Sequence, residues 1–293
     1  MRTLHFLPST MTQKLTVNDH NRDHIGLKYV YPVMSRRAGG LSIGVNFNSN
    51  NACNWRCVYC QVPDLIRGTA PELDFELLAF ELKTFLHAVL EGDFYERFAI
   101  EPAQRVIKDI AISGNGEPTS LVGFEKAIDL IGNIATEFEL FPKANFVLIT
   151  NGSLVHQNKV QHGLTRLNQY GGQVWFKLDS VTDAGRKRLN HSEQSPEKAY
   201  AAIVTASQLC QVKLQTCLLD YQQTGLEEAE KIAYLNFLKR LKEDTSIENV
   251  TLYTIARPSF QPEAVAIKKL PAAIMDAFAE DIRALGYQVA ISY

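Results

Sequence analysis

Six times along this chain a short apolar run gives way to a turn and then to an amphipathic helix. The runs are Leu41–Phe47, Asp109–Ser113, Phe146–Thr150, Val174–Leu178, Val212–Leu218 and Val250–Ile255; a seventh, Gln288–Ser292, closes the sequence. They are β-branched-rich or continuously apolar, as strands are. Residues 75–90 set Leu78, Leu82, Phe85, Leu86 and Val89 on one helical stripe, with Asp74 as N-cap and Gly92 as the stop. Residues 120–138 repeat the pattern at Leu121, Phe124, Ile128, Ile131 and Phe138. Ser195-Pro196 opens another helix, with Ala199, Ile203, Ala206 and Cys210 on its stripe, and Pro271 opens a last one that ends at Gly286. Strands alternating with helices predict a parallel sheet with right-handed crossovers. Six such units make either an open doubly wound sheet or a partial barrel, and periodicity alone does not separate the two.

No linker or low-complexity tract breaks the pattern after residue 40. With 293 residues, 46% of them hydrophobic, the chain can bury one large core, so residues 41–293 are expected to form a single domain. Residues 1–40 show no clear periodicity and carry the basic pair Arg36-Arg37 before Gly39-Gly40. They are expected to form an N-terminal extension packed on the core.

Just past the first predicted strand stand Cys53, Cys57 and Cys60, at C-x3-C-x2-C spacing. Iron–sulfur clusters are commonly held by four thiolates, and structural zinc closes its shell with four ligands. Three thiolates with no local fourth can leave one metal position open. Other readings compete: a disulfide pair plus a spare, three quarters of a zinc site, or plain buried cysteines. A zinc site would need a completing ligand, yet the nearest histidines in sequence, His24 and His87, stand at no motif spacing.

A net charge of −2 gives no electrostatic footprint for nucleic acid, although a local patch could hide in that average. No run of 18 or more apolar residues appears, so no membrane span is expected. The first residues, Met-Arg-Thr-Leu-His-Phe, lack the apolar core of a signal peptide. Five cysteines, three of them clustered, suit a reducing compartment, and a cytoplasmic location is expected.

The segment Asn-Ala-Cys53-Asn-Trp-Arg-Cys57-Val-Tyr59-Cys60-Gln resembles the radical SAM superfamily, whose pattern is C-x3-C-x-aromatic-C with Tyr59 in the aromatic place. The resemblance implies a partial (β/α)6 TIM-like barrel. It also implies a [4Fe-4S] cluster on Cys53, Cys57 and Cys60, with S-adenosylmethionine chelating the fourth iron through its amino and carboxylate groups. One electron, from reduced flavodoxin or ferredoxin, would cleave the sulfonium and yield a 5′-deoxyadenosyl radical that abstracts hydrogen from a substrate. The protein's share is to position the cofactor and exclude competing reactions.

In barrels of this type the chemistry sits at the carboxyl ends of the strands. There the second strand ends in Ser113-Gly114-Asn115-Gly116-Glu117, which resembles the family's Gly-Gly-Glu motif. Glycines let backbone carbonyls approach the cofactor's ammonium with no Cβ in the way, and Glu117 would complete the polar lining. The third strand ends in Thr150-Asn151-Gly152, a step that recurs in the superfamily and gives Thr150 and Asn151 a lining role. On the fourth strand Lys177 and Asp179 point to one side, where they are expected to hold the cofactor's carboxylate and ribose hydroxyls. Arg257, past the sixth strand, can grip a carboxylate or phosphate with its planar fork; Arg67 and the Arg36-Arg37 pair either line the same mouth or are simply solvated. Tyr59 is carried over as a further cofactor contact. Cys217 on the fifth strand is either a hydrogen donor to the radical or a small core residue, and Cys210 falls on a helix stripe.

Phe-Lys177-Leu-Asp179-Ser, then Arg188-Leu-Asn190 and Leu-Tyr-Thr-Ile-Ala-Arg257-Pro, resemble the group that contains the wyosine tRNA-base synthases. The chain lacks that group's second cysteine cluster and its strongly basic character. The expected reaction is therefore hydrogen abstraction from an unidentified small molecule or nucleotide. The alternatives are tRNA-base modification and activation of a partner protein by a planted radical.

Overall fold

The computed structural model describes residues 26–35 and 39–293. Arg36, Arg37 and His24 lie outside the described residues. Eight strands form one sheet: β1 (Val30–Ser35), β2 (Gly40–Val45), β3 (Ile107–Ile112), β4 (Asn145–Thr150), β5 (Gln173–Lys177), β6 (Gln211–Cys217), β7 (Asn249–Tyr253) and β8 (Gln288–Ser292). Each predicted strand is present within about two residues of its expected bounds. Around the sheet lie α1 (Phe75–Leu90), α2 (Phe124–Glu137), α3 (Asn158–Gln169), α4 (Asp183–Asn190), α5 (Pro196–Leu209), α6 (Glu228–Asp244) and α7 (Ala272–Ala284).

The order across the sheet is the order along the chain, from β1 to β8. From β2 onward all pairings are parallel; β1 alone is antiparallel, to β2. A doubly wound sheet reverses its strand order at a switch point and so carries helices on both faces. Here no reversal occurs, every crossover winds the same way, and the sheet curls into a half-barrel with its helices outside.

Alternate residues of each strand then have separate fates. Leu41, Ile43, Ile110, Ile112, Phe146, Leu148, Val174, Phe176, Leu214 and Leu252 join the main core beneath the helices. Each such burial contributes roughly 1.5–3 kcal/mol. The intervening residues, among them Ser42, Asp109, Val147, Ile149, Trp175, Lys177, Gln215 and Tyr253, line the inside of the half-barrel.

Asp74 caps α1 by accepting from Leu77 N, and Ser195 caps α5 by accepting from Lys198 N, as expected. The helix expected from residue 120 starts at Phe124, because Gly123 takes the left-handed conformation, φ +78°. The sheet itself starts at Val30, inside the segment read as an extension to residue 40. Pro32 interrupts that run in sequence, yet an edge strand has one side free of the ladder and accommodates proline. Glu81 of α1 grips the start of β1, its buried carboxylate accepting from Lys28 N, Tyr29 N and Val30 N at 2.8, 2.8 and 3.2 Å.

Candidate active site

The cysteine loop follows β2 and closes on itself where Ala52–Cys53 pairs with Ile66–Arg67. One side hangs from the end of α4. Arg56 N donates to Asn190 O at 3.2 Å and Val58 N to Leu189 O at 2.9 Å. The loop thereby satisfies carbonyls that a helix terminus leaves without partners. The other side is held by the segment after β7: Ser259 Oγ donates to the carbonyls of Val58 and Cys60, and Phe260 N donates to Cys60 O at 2.9 Å. Arg56 adds a two-pronged pair to Glu263, at 2.7 and 2.8 Å. A loop tied at both flanks can hold three side chains in fixed relation.

All five cysteines are unpaired, which removes the disulfide reading. Cys53, Cys57 and Cys60 are half-buried and line the mouth of a cavity of about 330 Å³ inside the half-barrel. Burial pushes the Cys53 thiol up to about 12 and the Cys57 thiol up to about 11. Two N–H groups face the sulfurs: Trp55 N stands 3.5 Å from Cys53 Sγ, and Asn190 Nδ2 3.2 Å from Cys57 Sγ. Among the described residues no three His, Cys, Asp or Glu side chains close around a single ion. A tetrahedral zinc asks for that convergence; a cluster sets each thiolate on a different iron and asks for less.

Gly114, Asn115, Gly116 and Glu117 line the same cavity. The space beside the two glycines is filled by protein, however. A Cβ on Gly114 would stand 2.1 Å from Asn46 Oδ1, and one on Gly116 would stand 1.9 Å from Ala52 O and 2.7 Å from Asn48 Nδ2. Asn115 Nδ2 donates to Asn51 Oδ1 at 2.6 Å. The glycines therefore let this loop pack against the chain leading into Cys53. Glu117, 2% exposed, accepts from Thr119 N, Thr119 Oγ1, Thr150 Oγ1 and Asn151 N. Burial pushes its carboxyl up, against four hydrogen bonds that favour the charge. It braces the loop after β3 to the loop after β4.

Thr150 is spent on that brace and does not line the cavity, whereas Asn151 does. Asn151 Nδ2 also donates to Asn54 Oδ1 at 2.9 Å, and Asn54 Nδ2 to Ser153 Oγ at 2.7 Å, which docks the cysteine loop on β4.

Lys177 and Asp179 part company. Lys177 lines the cavity with its ammonium 4.9 Å from the centroid of the Tyr59 ring, and makes no ion pair with a described residue. Burial works against its charge, but Tyr253, Cys57, Asp179 and Cys217 together hold its pKa well above the usual range. Asp179 is 6% exposed and turned away from the cavity. Its carboxylate accepts from the Tyr59 hydroxyl, from Asn190 Nδ2 at 2.8 Å and from Cys217 N at 2.9 Å. Every one of those partners adjoins the cysteines, so Asp179 braces the loop and offers no open acceptor for a ribose.

Arg257 lines the cavity and donates to Gln61 Oε1 at 3.0 Å. Arg67 turns outward, to the carbonyls of Asn54 and His191. Cys217 is buried in a small apolar cluster with Val58 and Tyr59, and Cys210 lies in the main core with its thiol on Gly172 O. Three residues with no role assigned from sequence emerge. Asn54 belongs to the loop and ties it to Asn151, Asn190 touches the loop, and Gln215 lines the cavity, 3% exposed, with no hydrogen bond from its Nε2 to a described residue. Period-two alternation from Lys213 through Gln215 to Cys217 is the signal that turns Gln215 inward.

A family model described as Radical SAM superfamily matches residues 47–233. A UPF0026 protein of Helicobacter pylori is 27% identical over 232 residues, which cover 78% of this chain and 66% of that one. The chain thus spans slightly less than two thirds of this relative's length. A structure of TYW1 with a lysine-pyruvate adduct bound matches with TM-score 0.53 and 13% identity, over 83% of this chain and 73% of the other. A spore photoproduct lyase mutant with bound AdoMet and dinucleoside spore photoproduct matches with TM-score 0.53 and 13% identity, over 82% and 73%. At such identities the two structures speak for the fold alone.

Proposed function

The chain belongs to the radical SAM superfamily, and we propose that it abstracts hydrogen from a small-molecule or nucleotide substrate held in the half-barrel. The family uses a [4Fe-4S] cluster and S-adenosylmethionine. When bound, that pair supplies the one-electron cleavage of the sulfonium. The single observation that carries the reading is that three unpaired cysteines line the mouth of one internal cavity.

The donor set suits the cluster: three thiols on one loop that is tied at both flanks. Cys53, Cys57 and Cys60 would hold three irons. Gly114–Gly116 and Asn151 offer the amino-acid end of the cofactor backbone and amide acceptors. Lys177, whose surroundings favour its charged form, serves as a cation for a carboxylate. Arg257 offers a second cation, a planar fork, and Tyr59 a ring face at the mouth. Reduced flavodoxin or ferredoxin is the proposed electron donor. Among the described residues no helix is long and apolar enough to cross a membrane.

The test is anaerobic reconstitution with iron and sulfide, reduction with dithionite, and incubation with S-adenosylmethionine. Release of 5′-deoxyadenosine and methionine in equal amounts is expected, and is lost with Cys57→Ala. A protein carrying a full cluster that releases neither product would end the reading.

A further inference from the structure

Asn190 is the last residue of α4 and is wholly buried, 0% exposed. Its Nδ2 donates to Asp179 Oδ2 at 2.8 Å and to Cys57 Sγ at 3.2 Å. Its Oδ1 is buried with no hydrogen-bond partner. Chemistry decides which way the amide faces. Turned over, it would set Oδ1 against the Asp179 carboxylate, which accepts only. Asp179 is itself fixed by Tyr59 and by Cys217 N, so the amide has no freedom to search for a better partner. An orphaned acceptor in the interior is unfavourable, and an apolar side chain of the same size would avoid it. The sequence nonetheless keeps an asparagine there, and what the residue provides in return is an N–H aimed at a cysteine sulfur.

We propose that Asn190 is a positioning residue that raises the reduction potential of the cluster through its N–H···S bond to Cys57, an inference resting on the cysteine assignment above. Reduction brings one electron from an external donor into the cluster and adds one negative charge there. A hydrogen bond to a ligating sulfur withdraws electron density and eases that addition, as N–H donors to the sulfurs do at iron–sulfur sites generally. Trp55 N makes the comparable approach to Cys53 through the backbone. Asn190 does it through a side chain, so a substitution can remove it. Asp179 holds the donor in place from behind.

The test compares wild type with Asn190→Leu, which keeps volume and loses the donor, and Asn190→Ser, which stays polar but is too short to span Asp179 and Cys57. Iron per chain is measured after anaerobic reconstitution. The midpoint potential is then read by electron paramagnetic resonance during a dithionite titration without S-adenosylmethionine. Both variants are expected to hold iron and to reduce at a more negative potential than wild type. An unchanged midpoint in whichever variant retains iron overturns the proposal. Loss of iron from both overturns it too, since Asn190 would then hold the loop together and not tune it. Wild-type protein that takes up no iron would instead sink the cysteine assignment.

Discussion

A methyl group at position 116 has nowhere to go. The Ala52 carbonyl and the Asn48 amide already occupy that space, one residue from Cys53. Gly116→Val is therefore expected to lose iron as well as S-adenosylmethionine binding, measured as iron per chain and by calorimetry. Full iron with only cofactor binding lost would return the loop to a pure cofactor cradle. The thiols make a second prediction at this scale. A cysteine in an unfolded chain titrates at about 8.5. Burial raises Cys53 and Cys57 above that, so the metal-free fold binds their protons more tightly than the unfolded chain does. That stability is fully present below about pH 8.5 and is lost as pH climbs through the raised values. Iron uptake has the opposite slope, because each thiol must release its proton to bind. Denaturant titrations of metal-free protein, set beside iron affinity over the same alkaline range, should show the two trends crossing. Parallel trends would mean the thiols are not the groups that titrate.

At the scale of elements, the site is a set of loops cross-braced by buried carboxylates. Glu117 joins the ends of β3 and β4, Asp179 joins the end of β5 to α4 and to the cysteine loop, and Glu81 joins α1 to β1. Each is buried and hydrogen-bonded, which is the condition for a charge to be tolerated there. Glu117→Gln keeps the shape but turns one acceptor into a donor among Thr119, Thr150 and Asn151. A loss of about 1–3 kcal/mol is expected, read as a lower urea midpoint of the metal-free protein. An unchanged midpoint would show that the carboxylate is not needed to hold the two loops.

At the scale of the whole molecule, curling the sheet brings the alternate residues of eight strands around one cavity. One cation in its wall, Lys177, makes no ion pair with a described residue. Lys177→Met is thus expected to weaken S-adenosylmethionine binding about ten- to a hundredfold, the worth of a charge-assisted hydrogen bond. Thermal stability should fall modestly near neutral pH, because a raised pKa means that the folded surroundings favour the charged form that the variant removes. Calorimetry and a melting curve check both parts. Wild-type affinity in the variant would take Lys177 out of the cofactor's reach.

The sequence alone determined the strand and helix alternation, the cysteine spacing and the polar residues at the strand ends, because each is written in local period or short-range chemistry. It left open whether the sheet would be doubly wound or curled, since that depends on strand order and on no single segment. It did not show β1, whose proline suits an edge that exists only once the sheet is assembled. It assigned cofactor contact to Thr150 and Asp179, which the fold turns to Glu117 and to the cysteine loop. Nothing in the local pattern around Asn190 marks it for a role. Only tertiary structure brings that amide to a sulfur 133 residues away, because the contact exists only where β5, α4 and the cysteine loop are packed together.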